Sequence, residues 1–350
     1  MTRSVERRIG DVRAIVRAAR AVVDLREALV PAIAESTGLS TQGVELALTK
    51  HLELDPTDDE LRSLVRWAGD ASHVAVILSA NVFVGALRAI ALARAASSDV
   101  VVRPSRRDPA FARALVDAIA DPEVRLDEAF DVASFQDGEI HIYGHDATIA
   151  DVRSRARPGV RVVGHGSGTG IAWISAGADL ALAARGLADD VVVFDQRGCL
   201  SPRMALVEGP LERADAFADA LHDALERLEL AVPRGPLPAD ERAASDRYVA
   251  TMTYACRALV GTTHAIGVAP PGAPLIPCPA YRHVHVVSCP TERDAATFLE
   301  PIAGSIVSVG SDDDQAARRL APSWARRSPL GQMQRPRLDG PVDLREATER

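Results

Sequence analysis

His73-Val74-Ala75-Val76-Ile77-Leu78-Ser79-Ala80-Asn81-Val82-Phe83-Val84-Gly85 decides the fold class. Its first residues form a short apolar run rich in β-branched side chains, and the remainder has turn character, so it reads as a strand and its exit. Ala86 to Ala96 is an alanine-rich helical stretch, and Val100-Val101-Val102-Arg103-Pro104-Ser105 is a second strand closed by a proline. Phe111 to Ala120 is helical again; Glu139-Ile140-His141-Ile142-Tyr143-Gly144 and Val160-Arg161-Val162-Val163-Gly164 repeat the strand pattern. Strands that alternate with helices predict an α/β fold with a mainly parallel sheet.

Upstream, residues 1–70 carry apolar positions at helical spacing. Ser40-Thr41-Gln42-Gly43-Val44-Glu45 and Asp55-Pro56-Thr57-Asp58-Asp59-Glu60 read as helix caps. Downstream, a second α/β run begins near Asp189. It opens with Asp190-Val191-Val192-Val193-Phe194-Asp195-Gln196-Arg197-Gly198-Cys199-Leu200-Ser201-Pro202, read as a buried strand that delivers Cys199 on a tight turn made by Gly198. A long helix is expected from about Leu211 to Leu230. Proline-rich connectors follow at Val232–Pro238 and Ala269–Pro279, and His283-Val284-His285-Val286-Val287 alternates like a strand. The last forty residues read as largely irregular. There is no internal repeat.

The chain has 350 residues, 47% of them hydrophobic and only 4% aromatic, so its core must be mostly aliphatic. A net charge of −8 and few aromatic platforms argue against a nucleic-acid partner. Cys199, Cys256, Cys278 and Cys289 show no C-x-x-C spacing, which predicts neither a zinc knuckle nor a redox motif. The charged N-terminus and interrupted apolar runs predict a cytoplasmic protein with no membrane span and reduced thiols.

Several residues fall at expected strand ends, where open α/β sheets bind ligands. Cys199 fits either an inert buried thiol or a nucleophile. The run Gly164-His165-Gly166-Ser167-Gly168-Thr169-Gly170 departs from G-x-G-x-x-G; it fits a flexible loop or a cofactor-contacting turn whose amides approach phosphate. Arg103, with Ser105, Arg106 and Arg107 beside it, suits a solvated strand end or a phosphate. Asn81 closes a turn or donates to an oxyanion. His165 is the histidine with a possible acid–base role, against a structural one. His283 and His285 lack a third ligand at useful spacing, so no metal is expected.

These motifs together resemble the LuxC-type acyl-CoA reductases, the fatty-acid reductases of bacterial luminescence, within the aldehyde dehydrogenase superfamily. Ser79-Ala80-Asn81-Val82 is similar to the family's G-N-V-P turn, with Phe83 at the proline position. Val102 to Ala112 is similar to its K-P-S-x-x-D-P-x-F-A stretch, with Arg103 for lysine. Phe194-Asp195-Gln196-Arg197-Gly198-Cys199-Leu200-Ser201-Pro202 resembles the nucleophile motif. Phe298-Leu299-Glu300-Pro301, Ser308-Val309-Gly310 and Pro329-Leu330-Gly331-Gln332-Met333-Gln334 resemble the C-terminal pattern.

The resemblance implies an aldehyde dehydrogenase-like fold: a Rossmann-type cofactor domain, an α/β catalytic domain and a small oligomerisation element. The expected divisions are 1–70 (helical segment on the cofactor domain), 71–188 (NAD(P)-binding), 189–310 (catalytic) and 311–350 (C-terminal return). It implies Cys199 as the acyl-accepting thiol, with Asn81 and the Cys199 backbone N–H as oxyanion donors. NADPH or NADH would bind around Arg103, Ser105, Gly164, His165, Gly166, Ser167 and Gly168. The donor would be acyl-CoA or an acyl carrier protein, and the assembly a homodimer. Hydrolytic aldehyde dehydrogenases place a general base in an E-L-G-G segment; this chain has Gly177-Ala178-Asp179 in that region, which favours thioester reduction over hydrolysis. An acyl-phosphate reductase and a non-catalytic acyl-binding relative are the alternatives.

Overall fold

The computed structural model describes residues 3–80 and 82–345, and the chain divides into two compact units, residues 1–167 with 337–350, and residues 168–336. The first unit opens with helices α1 (Val5–Asp24), α2 (Arg26–Thr37), α3 (Thr41–Lys50) and α4 (Asp58–Ala68). Both caps expected from sequence are present. The Ser40 side chain accepts from Gly43 N, and Thr57 forms a reciprocal capping box with Glu60.

Then β1 (Val74–Ile77), α5 (Gly85–Ala96), β2 (Val100–Arg103), α6 (Ala110–Ile119), β3 (Val124–Leu126), β4 (Glu139–Tyr143), α7 (Asp146–Arg155) and β5 (Arg161–His165) build a parallel sheet of order β3-β2-β1-β4-β5. α5 is buried along almost its whole length. Its buried Arg88 is satisfied by Gly340 O at 2.6 Å and Glu53 at 2.8 Å. The register pairs Ile77 with Arg103 and with Ile142, and Ile142 with Gly164. Arg103, Ile77, Ile142 and Gly164 therefore form one row across the carboxyl edge of the sheet.

The second unit contains β6 (Thr169–Ile174), α8 (Leu180–Val192), β7 (Pro202–Glu208), α9 (Leu211–Ala231), α10 (Ala239–Ala255), β8 (Arg257–Val260), β9 (Ala265–Ala269), β10 (His283–Cys289), α11 (Glu292–Leu299), β11 (Ile306–Ser311), α12 (Asp314–Leu320) and β12 (Arg326–Pro329). Its sheet has order β12-β11-β6-β7-β10-β9-β8, with only β8 antiparallel to its neighbour. Side chains alternate between two cores. Ala172, Ile174, Ala205 and Val207 pack with α8 and α9; Ile171, Trp173, Met204 and Leu206 pack with α11 and α12. Burial of both faces is what a covered parallel sheet requires.

One expectation needs correction. The run Asp190–Phe194 is not a strand: it ends α8, and a 3-10 turn follows at Val193–Gln196. Ala184, Leu187, Ala188 and Val191 form the helical stripe against the sheet, a 3.6-residue period that a window of consecutive valines conceals. The two compact units divide at 167/168 and 336/337, and β6 belongs to the second because it pairs with β7 and β11. The last forty residues are largely irregular, as expected, with α12 and β12 as the regular elements among those described.

Gly170 sits in β6 directly against the segment after Cys199. A Cβ there would meet the Leu200 carbonyl, with the Leu200 and Ser201 backbone carbons 2.8 and 2.9 Å away. Its N–H donates to Ser201 O at 3.2 Å. Gly170→Ala should lower unfolding stability in urea by about 1–3 kcal/mol, as overpacking against backbone does; an unchanged midpoint would show that the segment relaxes freely.

Candidate active site

Cys199 lies between the 3-10 turn and β7, partly exposed. It is thus carried from a helix towards a strand, not past a strand end. The left-handed backbone of the turn falls not on Gly198 but on three residues before it: Phe194, Asp195 and Gln196 have φ of 54°, 48° and 61°. Each such residue with a side chain costs about 1–2 kcal/mol. Tyr281 and Arg282, just before β10, are left-handed as well, at 64° and 69°.

Buried polar contacts hold these two segments together. Asp195 Oδ1 accepts from Arg282 Nε at 3.0 Å and Nη2 at 2.8 Å, with both side chains 2% exposed. Asp195 Oδ2 accepts from Gly235 N at 3.0 Å, and the Asp195 carbonyl accepts from Tyr281 N at 3.2 Å. Gln196 is spent on backbone. Its Nε2 donates to Pro202 O and His283 O, both at 2.6 Å, and its Oε1 accepts from His283 N at 2.9 Å. Arg282 also donates to Glu229 at 2.6 Å and Val232 O at 2.8 Å. Arg197 donates to Phe194 O at 3.1 Å, and its guanidinium carbon lies 5.8 Å from the centre of the Tyr281 ring, so it too serves the turn.

On the other side of the turn, the buried carboxylate of Asp190 in α8 accepts from Gly331 N at 2.6 Å and Met333 N at 2.8 Å. Burial pushes its pKa up to about 7, against these backbone bonds and one from Gln334. The Leu330–Gln334 motif is thereby clamped to the helix that leads to Cys199. Gly186 allows this close approach, since a Cβ there would sit 3.0 Å from Leu330 Cβ.

The other thiols differ. Burial pushes both Cys278 and Cys289 up to about 12, so they stay protonated at neutral pH. His283 and His285 are buried and structural: His283 Nε2 lies 2.7 Å from Ser245 Oγ, and His285 Nδ1 lies 3.1 Å from Tyr248 Oη.

The candidate cofactor residues lie in the first unit, except Gly168, which begins the second. Asn81 lies outside the described residues. Arg103 and Ser105 follow one another at the end of β2, half-buried, with Arg106 and Arg107 exposed beside them. None of these arginines makes an ion pair among the described residues, so the edge is left positive. His165 ends β5. Its ring stacks on Tyr143 with centroids 4.2 Å apart, and its Nε2 lies 3.3 Å from His141 Nδ1. His141 in turn lies 3.1 Å from Glu139, which Arg161 also holds at 2.8 Å. Burial works against Glu139 ionising, but His141 and Arg161 outweigh it and hold the carboxyl below its ordinary range.

The glycines of the run have packing reasons. A Cβ on Gly164 would meet Ile149 at 2.7 Å, one on Gly166 would meet the Asp146 carboxylate, and one on Gly168 would meet Val307 at 2.7 Å. Ser167 N donates to Asp146 at 3.1 Å. This amide already has an acceptor, so the run is less of a phosphate cradle than expected. Tyr143 was not singled out from sequence. Its half-exposed ring carries a buried hydroxyl with no hydrogen-bond partner among the described residues.

Residues 41–348 match the family described as acyl-CoA reductase (LuxC). The chain belongs to the LuxC acyl-CoA reductase family. It is an oxidoreductase by family. Solved aldehyde dehydrogenases share its fold. An NAD-dependent benzaldehyde dehydrogenase from Corynebacterium glutamicum is 16% identical, with TM-score 0.69 over 93% of this chain and 83% of that one. Betaine aldehyde dehydrogenase from Staphylococcus aureus is 17% identical, with TM-score 0.66 over 91% and 73%. Lactaldehyde dehydrogenase from Escherichia coli is 16% identical, with TM-score 0.63 over 90% and 76%. At this identity they establish the fold alone. No curated protein matches the sequence. Among the described residues, no helix is long and apolar enough to cross a membrane.

Arg282→Met would leave Asp195 charged and buried. It should cost about 3–5 kcal/mol in urea unfolding, the usual result of breaking one side of a buried pair. Arg282→Lys should recover only part of this, because one ammonium cannot replace the two-nitrogen contact. A loss below about 1 kcal/mol in Arg282→Met would mean that the turn does not depend on the pair.

Proposed function

We propose that this protein reduces an acyl thioester, acyl-CoA or a carrier-bound acyl group, to the aldehyde through a covalent thioester on Cys199. The observation that carries this reading is the contrast among the thiols. Cys199 and Cys256 are both partly exposed, but Cys256 ends α10 whereas Cys199 stands on a turn held from both sides, within the segment that resembles the family's nucleophile motif; Cys278 and Cys289 are buried and pushed towards protonation.

The Cys199 thiolate attacks the thioester carbonyl, a C–S bond to the enzyme forms, and the donor's thiolate leaves. The exchanged thiols have similar basicity, so the step is close to thermoneutral. A reduced nicotinamide dinucleotide supplies hydride when bound. After hydride delivery to the carbonyl carbon, the Cys199 backbone N–H would stabilise the oxyanion of the hemithioacetal, with Asn81 as the second donor that the family resemblance implies. Its collapse breaks the C–S bond, releases aldehyde and returns the Cys199 thiolate. One proton goes to the departed donor thiolate, which balances the reaction.

The residues at the carboxyl edge of the first sheet fit a dinucleotide. Arg103, Arg106 and Arg107 offer cationic groups free of carboxylate partners among the described residues, and Ser105 adds a hydroxyl beside them. The orphaned Tyr143 hydroxyl is a buried polar atom suited to a ligand partner. His165, stacked on Tyr143, would contribute ring surface and hydrogen bonding rather than proton transfer. The Cys199-bound acyl group survives to meet hydride because Asp179, where hydrolytic relatives carry a base nearby in sequence, is spent capping α8 through Leu182 N. We place the protein in solution as a homodimer, as the superfamily resemblance implies.

The test is oxidation of NADPH and NADH with acyl-CoAs of increasing chain length, with aldehyde trapped as a hydrazone. Wild type should turn over and Cys199→Ala should fall by at least about 10³-fold, as loss of a covalent nucleophile does. Turnover with acyl phosphates but no thioester would replace the donor. Equal rates in Cys199→Ala would reject the covalent route.

A further inference from the structure

A cluster in the second unit is independent of the thiol chemistry. His222 and Glu226 stand one turn apart on the same face of α9, and His264 immediately precedes β9 at the tip of the β8–β9 hairpin. His264 Nε2 lies 2.9 Å from His222 Nδ1, and His264 Nδ1 lies 3.7 Å from Glu226 Oε1. One ligand atom from each of the three residues lies within 4.8 Å of the others. The His264 side chain is 1% exposed and that of Glu226 is 37% exposed, so the cluster has a buried floor and an open side.

From this geometry we infer that His222, Glu226 and His264 bind a borderline divalent transition-metal ion of the Zn²⁺ type, which pins the hairpin tip to α9. Two imidazoles and one carboxylate, with the fourth position open to water, are a tetrahedral zinc-type donor set; hard oxygen-seeking ions such as Mg²⁺ and Ca²⁺ are disfavoured by it. The two imidazole nitrogens already face each other. Metal–nitrogen bonds of about 2.0–2.1 Å in a tetrahedron place them about 3.3 Å apart, close to their present 2.9 Å, while Glu226, which now faces the other ring nitrogen of His264, must swing towards the pair. One of the two facing nitrogens carries the proton of their hydrogen bond; on metal binding that proton moves to the same ring's other nitrogen, so both rings stay neutral and no net proton is released.

The surrounding groups already orient the ligands. Thr262 N donates to Glu226 Oε1 at 2.8 Å and Thr262 Oγ1 to Oε2 at 3.2 Å, which fixes the carboxylate as a second shell does. Thr263 Oγ1 donates to Glu229 at 2.6 Å, and Glu229 is the same carboxylate that Arg282 contacts. The hairpin tip, α9 and the Asp195–Arg282 pair thus belong to one connected set of contacts.

The experiment uses the full chain without an affinity tag, as Cys199→Ser/Cys256→Ser to remove the two partly exposed thiols, stripped with chelator and titrated with Co²⁺ and then Zn²⁺. One saturable equivalent of Co²⁺ with visible tetrahedral bands, displaced by Zn²⁺, is expected, together with a rise in thermal midpoint under Zn²⁺. His222→Ala should abolish the bands and weaken binding by at least about tenfold, whereas the exposed His145→Ala should leave both unchanged. No saturable binding, or binding indifferent to His222→Ala, would overturn the site. Because the readout is metal binding in a chain without Cys199, failure here leaves the acyl chemistry untouched.

Discussion

The turn that carries Cys199 depends on one buried carboxylate–guanidinium pair. Asp195 and Arg282 meet where two left-handed backbone segments face each other, and neither segment is a conformation that side-chain-bearing residues adopt unaided. The pair alone would be a poor stabiliser, since removing two charges from water offsets most of their attraction. Its effect comes from what surrounds it. Gly235 N, Tyr281 N and three hydrogen bonds from Gln196 to backbone leave few alternatives for the turn. Conformational specificity, rather than raw stability, is what this arrangement supplies to Cys199.

The motifs that identify the family are distributed around that constraint. Asp190 binds the Leu330–Gln334 segment to α8, Gly170 admits the Leu200 backbone, and Gln196 ties the turn to the starts of β7 and β10. A side chain held for chemistry must be kept close to one position, and here the groups around Cys199 come from stretches far apart in sequence, at Gly170, Gly235, Tyr281–His283 and Leu330–Gln334. The C-terminal motif thus has a mechanical role: it braces the helix before the cysteine.

Much of the fold was legible in the sequence. The strand–helix alternation from His73 to Gly164, the capping box at Thr57 and the long helix near Leu211 follow from local periodicity and turn chemistry. The valine run before Cys199 misled, because α8 buries consecutive valines and a helix end looks like a strand over so short a window. At the site, Cys199 stood out because a lone cysteine beside Gly-198 and Ser-Pro is locally unusual. Arg282 did not, since its partner lies 87 positions away and no local pattern announces a long-range ion pair. Tyr143 was hidden for the same reason, its role depending on the neighbouring strand that carries His165. In the glycine run, Gly164, Gly166 and Gly168 pack closely against Ile149, Asp146 and Val307, a demand on residue size that no local pattern announces.

The central claim is that the thiol on this braced turn accepts the acyl group. The most direct measurement is peptide mass spectrometry of the protein incubated with acyl-CoA in the absence of any nicotinamide dinucleotide. The account predicts one acyl adduct, on the peptide containing Cys199, discharged by adding reduced dinucleotide. An unmodified Cys199 under saturating acyl donor, or an adduct confined to another residue, would contradict it.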